Sequence, residues 1–242
     1  MAQLTSFLLN LDRSPDRLQR MQEQATKIGI ELERVPAIDG LALPEGMRRE
    51  FLASGVPRGG MLPGEVGCYA SHLLAYERVI SEQLPYAVVL EDDPELRPGL
   101  MEVATAAAQA CPAGWHVIHL WHNSKHSNER VAPLPDWHWL VRPRRLPINA
   151  AGYIISQAGA QLLRTPGPRA RPIDMVMRYG HLHGIKSIYA VTPPVIVPAL
   201  ITAATTTIDP TGARDRYARG RWRPTLLEQL TVRARRLLPR SA

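Results

Sequence analysis

Short apolar runs alternate along this chain with helical patterns, and this alternation restricts the fold more than any other feature. Each run has the length of a strand and is bounded by turn or helix-start residues. The strand-like runs lie at 4–11, 30–40, 86–91, 115–121, 136–143, 150–156 and 186–198. The helical patterns lie at 14–29, 63–83, 99–110, 156–164 and the beginning of 172–184. Strands that alternate with helices predict one α/β domain with a mostly parallel central sheet flanked by helices.

The positive charge of the chain is confined to its last residues. The 242 residues carry a formal net charge of +7, and 212–242, with nine arginines and two acids, account for all of it. We therefore expect a neutral domain over 1–211 and a separate basic tail over 212–242. A neutral body argues against a nucleic-acid-binding surface on the domain, so no nucleic-acid partner is expected.

The basic tail has a helical apolar stripe. Its leucines and one alanine between 226 and 238 fall within about 120° of a helical wheel, and most arginines lie outside that arc. This pattern is typical of a helix lying on an anionic membrane surface. It suits equally a helix that docks on the domain with its arginines in solvent.

Hydropathy and cysteine content predict the compartment. No apolar run approaches 18 residues, and the short N-terminal run lacks a preceding basic region, so neither a spanning helix nor a signal peptide is expected. Cys68 and Cys111 form no CxxC pair, which favours a reducing compartment and predicts neither a disulfide framework nor a zinc site. We expect a cytoplasmic protein, with the tail a candidate for peripheral contact at the inner face of the cytoplasmic membrane.

Three adjacent carboxylates, Glu91, Asp92 and Asp93, end the apolar run in the stretch YAVVLEDDPEL. Ligand sites in such sheets lie beyond the carboxyl ends of the strands. On an extended strand Glu91 and Asp93 share a side and Asp92 faces away. Because like charges together are costly without a cation, one interpretation is a hard divalent ion that also binds phosphate oxygens. The other interpretation is a solvated acidic turn.

Other polar residues follow strands or open helices. Arg13 and Arg17 come just after the first strand, where guanidinium groups can bind phosphates bidentately or simply face solvent. Cations near a helix N-terminus oppose its dipole, so a bound anion would account for their position. Asp39 suits either a ribose hydroxyl or an Asp-Gly turn. His72, on the second helix, is either a catalytic group or a structural hydrogen-bonding one.

Together these segments resemble glycosyltransferase family 25, which includes lipopolysaccharide-type sugar transferases. The resemblance rests on the order and spacing of LNLDRSPDR, VPAIDG, PGEVGCYASHLLAYERVI, AVVLEDD and AAGYIIS. It is strong over 4–93 and looser over 149–208. Pro94 departs from the pattern, since an apolar residue is more usual there, and 122–146 has no recognisable motif.

The resemblance implies a GT-A-like fold, a nucleotide-sugar donor such as UDP-galactose, and Mn²⁺ or Mg²⁺ as cofactor. It also implies an inverting transfer to a hydroxyl group of a glycan or lipid-linked glycan acceptor, for example lipopolysaccharide. The metal residues are then Glu91, Asp92 and Asp93. The donor-binding residues are Asn10, Asp12, Arg13, Arg17, Asp39, Gly64, Glu65, Ser71, His72 and Gly152.

An inverting transfer requires a base that takes the proton of the acceptor hydroxyl. Asp174 is the first candidate by its place in the order of segments, although it also suits the N-terminus of its helix. Asp12 and Glu65 are the reserve candidates. His181 or His183 is a further metal ligand or a surface residue. Trp137 and Trp139, two apart on a predicted strand, would share a face for stacking on a sugar or for packing.

Two other functions fit the same sequence. The chain can be a nucleotide-sugar-binding or carbohydrate-binding module without catalysis, in which the acidic triplet only holds an ion or a turn. It can also be a membrane-associated scaffold that uses its basic tail. The set of motifs favours the metal-dependent hexosyltransferase over both.

Overall fold

The structure, a computed structural model, describes residues 4–122, 128–180, 184–185 and 187–198. The predicted tail over 212–242 and the two histidines His181 and His183 lie outside the described residues, so the predictions made for them stay predictions. Within the described part of the chain, no helix combines the length and the hydropathy needed to cross a membrane.

The described strands form one large sheet and two small ones. The large sheet contains β1 (Ser6–Asn10), β2 (Glu33–Pro36), β5 (Tyr86–Glu91), β7 (Val117–His119), β8 (Asn128–Pro133), β9 (Trp139–Pro143), β10 (Gly152–Ser156) and β11 (Ile188–Thr192). The small sheets pair β3 (Leu52–Ala53) with β4 (Val56–Pro57) and β6 (Glu95–Leu96) with β12 (Ile196–Val197).

The large sheet has the order β2-β1-β5-β10-β7-β11-β9-β8. Strands β2, β1, β5, β7, β11 and β8 run in one direction, and only β10 and β9 run against them. The predicted α/β class with a mostly parallel central sheet is confirmed. Strand β10 lies between β5 and β7 and runs antiparallel to both. Its first residue therefore lies at the same edge of the sheet as the last residues of β5 and β7.

The described residues include six α-helices, which accompany the sheets. They are α1 (Pro15–Lys27), α2 (Glu45–Phe51), α3 (Pro63–Ser81), α4 (Leu100–Ala110), α5 (Gln157–Arg164) and α6 (Ile173–Arg178). The predicted starts at Pro15 and Pro63 are confirmed, and the Ser156 side chain caps α5 by accepting from the Gly159 amide at 3.0 Å. Since β10 runs into α5 at Ser156, the cap fixes the strand-to-helix turn.

Alternate residues of β5 belong to opposite layers. Val88 and Leu90 are fully buried in a core with residues of α1 and α4, such as Met21 and Val103. The next residue of the strand, Glu91, points to the other face, where it meets side chains of α3. The period of two therefore distributes the acidic residues at the end of β5 between two layers.

The predicted strand over 136–143 is wrong at its beginning. Asp136 and Trp137 have positive φ angles of 51° and 63° and form a turn, and β9 begins only at Trp139. The two tryptophans therefore do not share a strand face. Trp137 is 93% exposed, whereas Trp139 lies under the guanidinium group of Arg130 at 4.4 Å from its ring centre. Arg130 and Trp139 thus form a cation–π pair within the β8–β9 hairpin.

The segment over 41–62, which the sequence left without a clear pattern, contains α2 and the β3–β4 hairpin. Just before this segment, residues 38–40 lie against the N-terminal part of α3, where two glycines permit close contact. A Cβ atom on Gly67 would lie 2.5 Å from the Ile38 carbonyl oxygen, and one on Gly40 would overlap the Pro63 carbonyl group. The glycines thus permit the segment after β2 to lie directly on α3.

Candidate functional site

The candidate site lies where β1 and β5 end side by side, between the layer of α1 and the layer of α3 and α6. The register of the two strands pairs Leu9 with Glu91, so Asn10 and the acidic triplet project from the same edge of the sheet. The amide of Glu91 donates to the Ala151 carbonyl oxygen at 2.9 Å, which attaches the segment before β10 to this edge.

Asp92 faces α1 and is fully engaged there. One of its carboxylate oxygens accepts from the Asn10 side chain at 2.7 Å, and the other accepts from Arg17 at 2.6 Å. Arg20 donates to the backbone carbonyl groups of Asp92 and Asp93 at 2.9 and 3.0 Å. Burial raises the pKa of Asp92, and the Arg17 guanidinium and the Asn10 amide act against that rise. These contacts fix the loop after β5 to α1.

Glu91 faces the opposite layer and meets two residues of α3. Its Oε1 atom lies 3.2 Å from Nε2 of His72 and 3.3 Å from Sγ of Cys68. Burial alone would raise the pKa of Glu91, but the hydrogen bonds from His72 and Cys68 outweigh it and lower the pKa overall. Glu91 is therefore a carboxylate held in its ionised form.

A chain of hydrogen bonds supports His72 from behind. Its Nδ1 atom lies 2.7 Å from the Tyr153 hydroxyl, which lies 2.7 Å from the Tyr76 hydroxyl. All three side chains are fully buried. The contact fixes the His72 ring so that its Nε2 atom faces Glu91.

Asp93 is the member of the triplet whose charge is disfavoured by burial and by Glu91 and is only partly compensated by the charges of Arg17 and Arg20. Its Oδ1 atom is buried and has no hydrogen-bond partner among the described residues. Burial, followed by the charge of Glu91, raises the pKa of Asp93 to about 7. A buried carboxylate oxygen without a donor is unfavourable unless a cation or ligand binds it.

Asp174 joins this group from α6. It is half-buried, and its Oδ1 atom accepts from the Met175 amide at 2.7 Å. Burial raises the pKa of Asp174 to about 6, and the charge of Glu91 adds to the rise. The electrostatic influence of Asp174 also reaches Cys68. The residue predicted as the base is thus brought to the acidic site, although it is 81 positions from Asp93 in sequence.

Two further predicted donor-binding residues of the first motif, Asp12 and Arg13, form ion pairs with Arg34 and Asp39. Arg13 forms an ion pair with Asp39, and Asp39 also accepts from the Leu41 amide at 3.0 Å in the predicted turn. Asp12 accepts from Arg34 at 2.5 Å. These pairs are largely exposed at the edge of the sheet, so they are available to exchange partners with an anion.

The residues of the second motif organise the beginning of α3. Gly64 lies in its first turn, and Glu65 accepts from the Leu62 amide at 2.7 Å, as an acid at the third helical position does in a capping box. Ser71 accepts from the Ile38 amide at 2.8 Å and donates to the Gly67 carbonyl group at 2.7 Å. In the structure these side chains contact protein groups, and of this motif Cys68 and His72 reach Glu91.

Gly152 of the later strand is a packing position. A Cβ atom there would lie 2.9 Å from a methyl group of Leu90 and would overlap the side chain of Ile196. The glycine lets β12 cover the sheet next to the acidic edge.

A surface groove lined by residues such as Leu4, Ile30 and Met101 lies at the beginning of β1, at the opposite edge from the acidic group.

Sequence reasoning missed several residues that build the site. They are Arg20, Arg34, Cys68, Tyr76 and Tyr153. Arg20 follows Arg17 by three positions, which places both on one face of α1, and that spacing was available in the sequence. The sequence pattern of the two tyrosines is that of core residues. The position of Tyr153 is shown only by the sheet register, which places it opposite Val89 and His119.

Comparison with known proteins shows similarity to one family over most of the chain. The model of the family described as "Glycosyltransferase family 25 (LPS biosynthesis protein)" matches residues 3–177. A "Glycosyltransferase 25 family member" from Drosophila pseudoobscura pseudoobscura is 32% identical over 183 residues, which cover 69% of this chain and 28% of that protein. "Procollagen galactosyltransferase 2" from Homo sapiens is 28% identical over 181 residues, with 69% and 29% covered.

Some relatives are named as inactive. A "Probable inactive glycosyltransferase 25 family member 3" from Bos taurus is 30% identical over 189 residues, which cover 69% of this chain and 30% of that protein. The chain therefore spans less than a third of the length of these three relatives. A solved structure of a glycosyltransferase involved in the glycosylation of the major capsid of PBCV-1 aligns with a TM-score of 0.44 at 9% identity, over 84% of this chain and 97% of that one.

Proposed function

The chain belongs to glycosyltransferase family 25, and we propose that it transfers a hexose from a nucleotide-sugar donor to a hydroxyl group of a glycan. The observation that carries the proposal is Asp93. Its buried carboxylate oxygen has no hydrogen-bond partner among the described residues and lies near the ionised Glu91 at the carboxyl edge of the sheet. Such an edge is where open α/β sheets bind their ligands.

The acidic edge suits a divalent cation with oxygen ligands, Mn²⁺ or Mg²⁺. The fit rests on the unpartnered Oδ1 atom of Asp93, since a cation would satisfy it and relieve its repulsion from Glu91. Glu91 and Asp93 would hold the ion, and Asp92 would position them through its bonds to Asn10 and Arg17. When bound, the ion would stabilise the negative charge on the leaving diphosphate.

The cationic side chains around the edge supply the rest of the diphosphate site. Arg13 is 53% exposed and forms its ion pair with the half-exposed Asp39, so a phosphate can compete for its guanidinium group. Asp39 would then be released toward the ribose hydroxyl groups. Arg17 stays with Asp92 because that pair is shielded from solvent.

Asp174 is the proposed base of an inverting transfer. Its pKa of about 6 leaves it mostly ionised at neutral pH yet basic enough to take a proton from the acceptor hydroxyl. Asp174 is half-buried and lies close enough to Glu91 for the charge of that residue to raise its pKa, which supports a role at the same site. As Asp174 takes the proton, the acceptor oxygen would bond to the anomeric carbon from the face opposite the diphosphate, and the bond from that carbon to the diphosphate oxygen would break to release the nucleoside diphosphate.

The identity of the sugar and acceptor is a finer proposal. The name of the human relative supports galactose, and the description of the family supports a lipopolysaccharide or similar surface glycan. We therefore propose UDP-galactose as donor and a glycan, free or lipid-linked, as acceptor.

The proposal is tested by thermal unfolding of the full chain with UDP, GDP, CDP or ADP, each with Mn²⁺ and with chelator. We expect UDP with Mn²⁺ to raise the melting temperature by roughly 5–10 °C at about 100 times its Kd. Asp93→Asn should abolish the shift, and Glu95→Gln, which changes an exposed acid two residues further along, should keep it. No shift with any nucleotide would contradict the proposal.

A second function is favoured by the relatives named as inactive. In that case the chain binds the nucleotide sugar without transferring the sugar. Both functions predict the thermal shift, so Mn²⁺-dependent hydrolysis of the donor distinguishes them. A binding module would leave UDP-galactose intact while it still gains stability from it.

A further inference from the structure

Two residues of α3 and the end of β5 place three metal-binding atoms of different chemistry close together. They are Sγ of Cys68, Nε2 of His72 and a carboxylate oxygen of Glu91, and all lie within 4.8 Å of one another. Cys68 and His72 are four positions apart, so they occupy one face of the helix. The sequence has no CxxC pair, and the fold assembles this group from residues 23 positions apart.

We propose that Cys68, His72 and Glu91 form a binding site for a zinc-like divalent cation, with a fourth position open to water or substrate. Thiolate and imidazole ligands favour zinc over manganese and magnesium, which prefer oxygen. The site is distinct in chemistry from the oxygen site proposed at Glu91 and Asp93, although the two share Glu91.

Two of the three distances between the ligand atoms agree with tetrahedral coordination, and the third, between Cys68 and His72, is within 4.8 Å. Zinc bonds of about 2.0 Å to nitrogen and oxygen and about 2.3 Å to sulfur give edges of roughly 3.3 Å from nitrogen to oxygen and 3.5 Å from sulfur to oxygen. The structure has 3.2 Å from His72 to Glu91 and 3.3 Å from Cys68 to Glu91. Small movements of these side chains would therefore admit the ion.

The surroundings have two further properties of a built metal site. Nδ1 of His72 is held by the Tyr153 hydroxyl at 2.7 Å, and such a bond to the second ring nitrogen commonly orients a zinc-binding histidine. His72 is fully buried, whereas Cys68 and Glu91 are half-buried. The ion would thus have a route from solvent and an open coordination position on that side.

Sharing Glu91 has a consequence for the proposed transferase. An ion on Cys68 and His72 withdraws Glu91 from Asp93, so zinc should compete with manganese. This consequence rests on the proposed function, but binding of zinc itself does not. The test of the site therefore uses the metals alone, without any sugar donor.

The experiment measures Co²⁺ and Zn²⁺ binding by the full chain after removal of metals and reduction of thiols. Co²⁺ should give intense visible bands of a tetrahedral complex and a thiolate-to-cobalt charge-transfer band, and one equivalent of Zn²⁺ should abolish both. Cys68→Ser should lose the charge-transfer band and weaken Zn²⁺ binding by more than about 100-fold, beyond the usual effect of losing an outer hydrogen-bonding partner.

Cys111→Ser is the matched control, because Cys111 is the other cysteine of the chain and lies in the core formed with α4. It should keep the cobalt spectrum and the zinc affinity. His72→Gln should weaken Zn²⁺ binding with Cys68 still present, and thermal unfolding of each metal-free variant checks that it is folded. Equal zinc affinity in Cys68→Ser and the unsubstituted chain, or cobalt bands without thiolate character, would overturn the proposal.

The outcome is independent of the transferase test. Loss of nucleotide binding in Asp93→Asn with zinc binding retained would support both proposals, since it separates the zinc site from the nucleotide site. Zinc binding that depends on residues other than Cys68 would overturn the zinc site without affecting the nucleotide experiment.

Discussion

At the scale of single residues, Asp92 and Asp93 are chain neighbours with opposite surroundings. Asp92 has a hydrogen-bond partner on each carboxylate oxygen, whereas Asp93 has a buried oxygen for which the described part of the chain offers no partner. The sequence shows three equivalent acids, and only the contacts with α1 and α3 assign them different roles. The alternation along the strand, which was predictable, gives the direction of each side chain but not its partner.

The two aspartates should therefore respond differently to the same substitution. Asp92→Asn places an amide nitrogen against the donors of Asn10 or Arg17, and we expect it to lower the free energy of unfolding by about 1–3 kcal/mol. Asp93→Asn removes an unpaired buried charge and should leave that free energy unchanged or raise it. Urea unfolding in chelating buffer at pH 7.5 measures both, and the reverse order would contradict the division of roles.

His119, at the end of β7, predicts an acid-sensitive stability. It is buried, and burial together with the nearby His122 lowers its pKa to about 3. The unfolded chain takes up a proton as the pH falls below about 6.5, whereas the folded chain does not until about pH 3. The stability that neutral His119 contributes is thus complete above pH 6.5 and is lost between 6.5 and 3.

Between pH 7.5 and pH 5, this histidine should cost the native state about 2 kcal/mol. His119→Gln removes the titration, so its unfolding free energy should fall less over that interval. Urea unfolding at both pH values measures the difference within each protein, which cancels any constant effect of the substitution. An equal fall in both proteins would show that His119 does not titrate as described.

At the scale of elements, the order of strands and helices followed from the sequence, whereas the turns and contacts that connect them did not. Apolar runs and proline or serine at helix starts located β1, β5, β10 and the helices α1, α3 and α5 to within a few residues. The β3–β4 hairpin and β8 have no strong apolar alternation, so their pairing depends on neighbours distant in the chain. The turn at Trp137 was missed because its positive φ angle occurs without glycine.

Arg169 provides one set of these connecting contacts, and it fixes the segment between α5 and α6. Its guanidinium group donates to Glu50 of α2 at 2.7 Å, to the Tyr69 hydroxyl at 2.8 Å and to the Leu163 and Thr165 carbonyl groups at 3.1 and 3.0 Å. A planar group with five donors can satisfy all of them, and an ammonium group cannot. Arg169 precedes Asp174 by only five residues, so its hydrogen bonds fix the segment that leads into α6.

Arg169→Lys should lower the free energy of unfolding by about 2–4 kcal/mol, because buried acceptors are left without donors. Arg144→Lys, at an exposed position, should change it by less than about 0.5 kcal/mol. Urea unfolding of the two variants tests this role of Arg169. Equal changes in the free energy of unfolding in both variants would refute it.

At the scale of the whole molecule, the neutral domain and the basic tail remain two separate predictions. The tail lies outside the described residues, and the relatives, which are more than three times longer than the matched region, leave its role open to experiment. Deleting 225–242 should release the protein from anionic vesicles and leave turnover of soluble substrates intact. Cosedimentation with vesicles measures this, and equal binding by the shortened chain would refute the membrane interpretation.

The central claim is that Glu91 and Asp93 form the metal and diphosphate end of a sugar-transfer site. Its most direct test is the rate at which the purified full chain cleaves UDP-galactose with Mn²⁺, with chelator, and after Asp93→Asn or Glu95→Gln. We predict that chelation and Asp93→Asn each lower the rate at least about 100-fold, as loss of a transition-state contact does, while Glu95→Gln keeps it. Cleavage that persists with chelator and in Asp93→Asn would contradict the account.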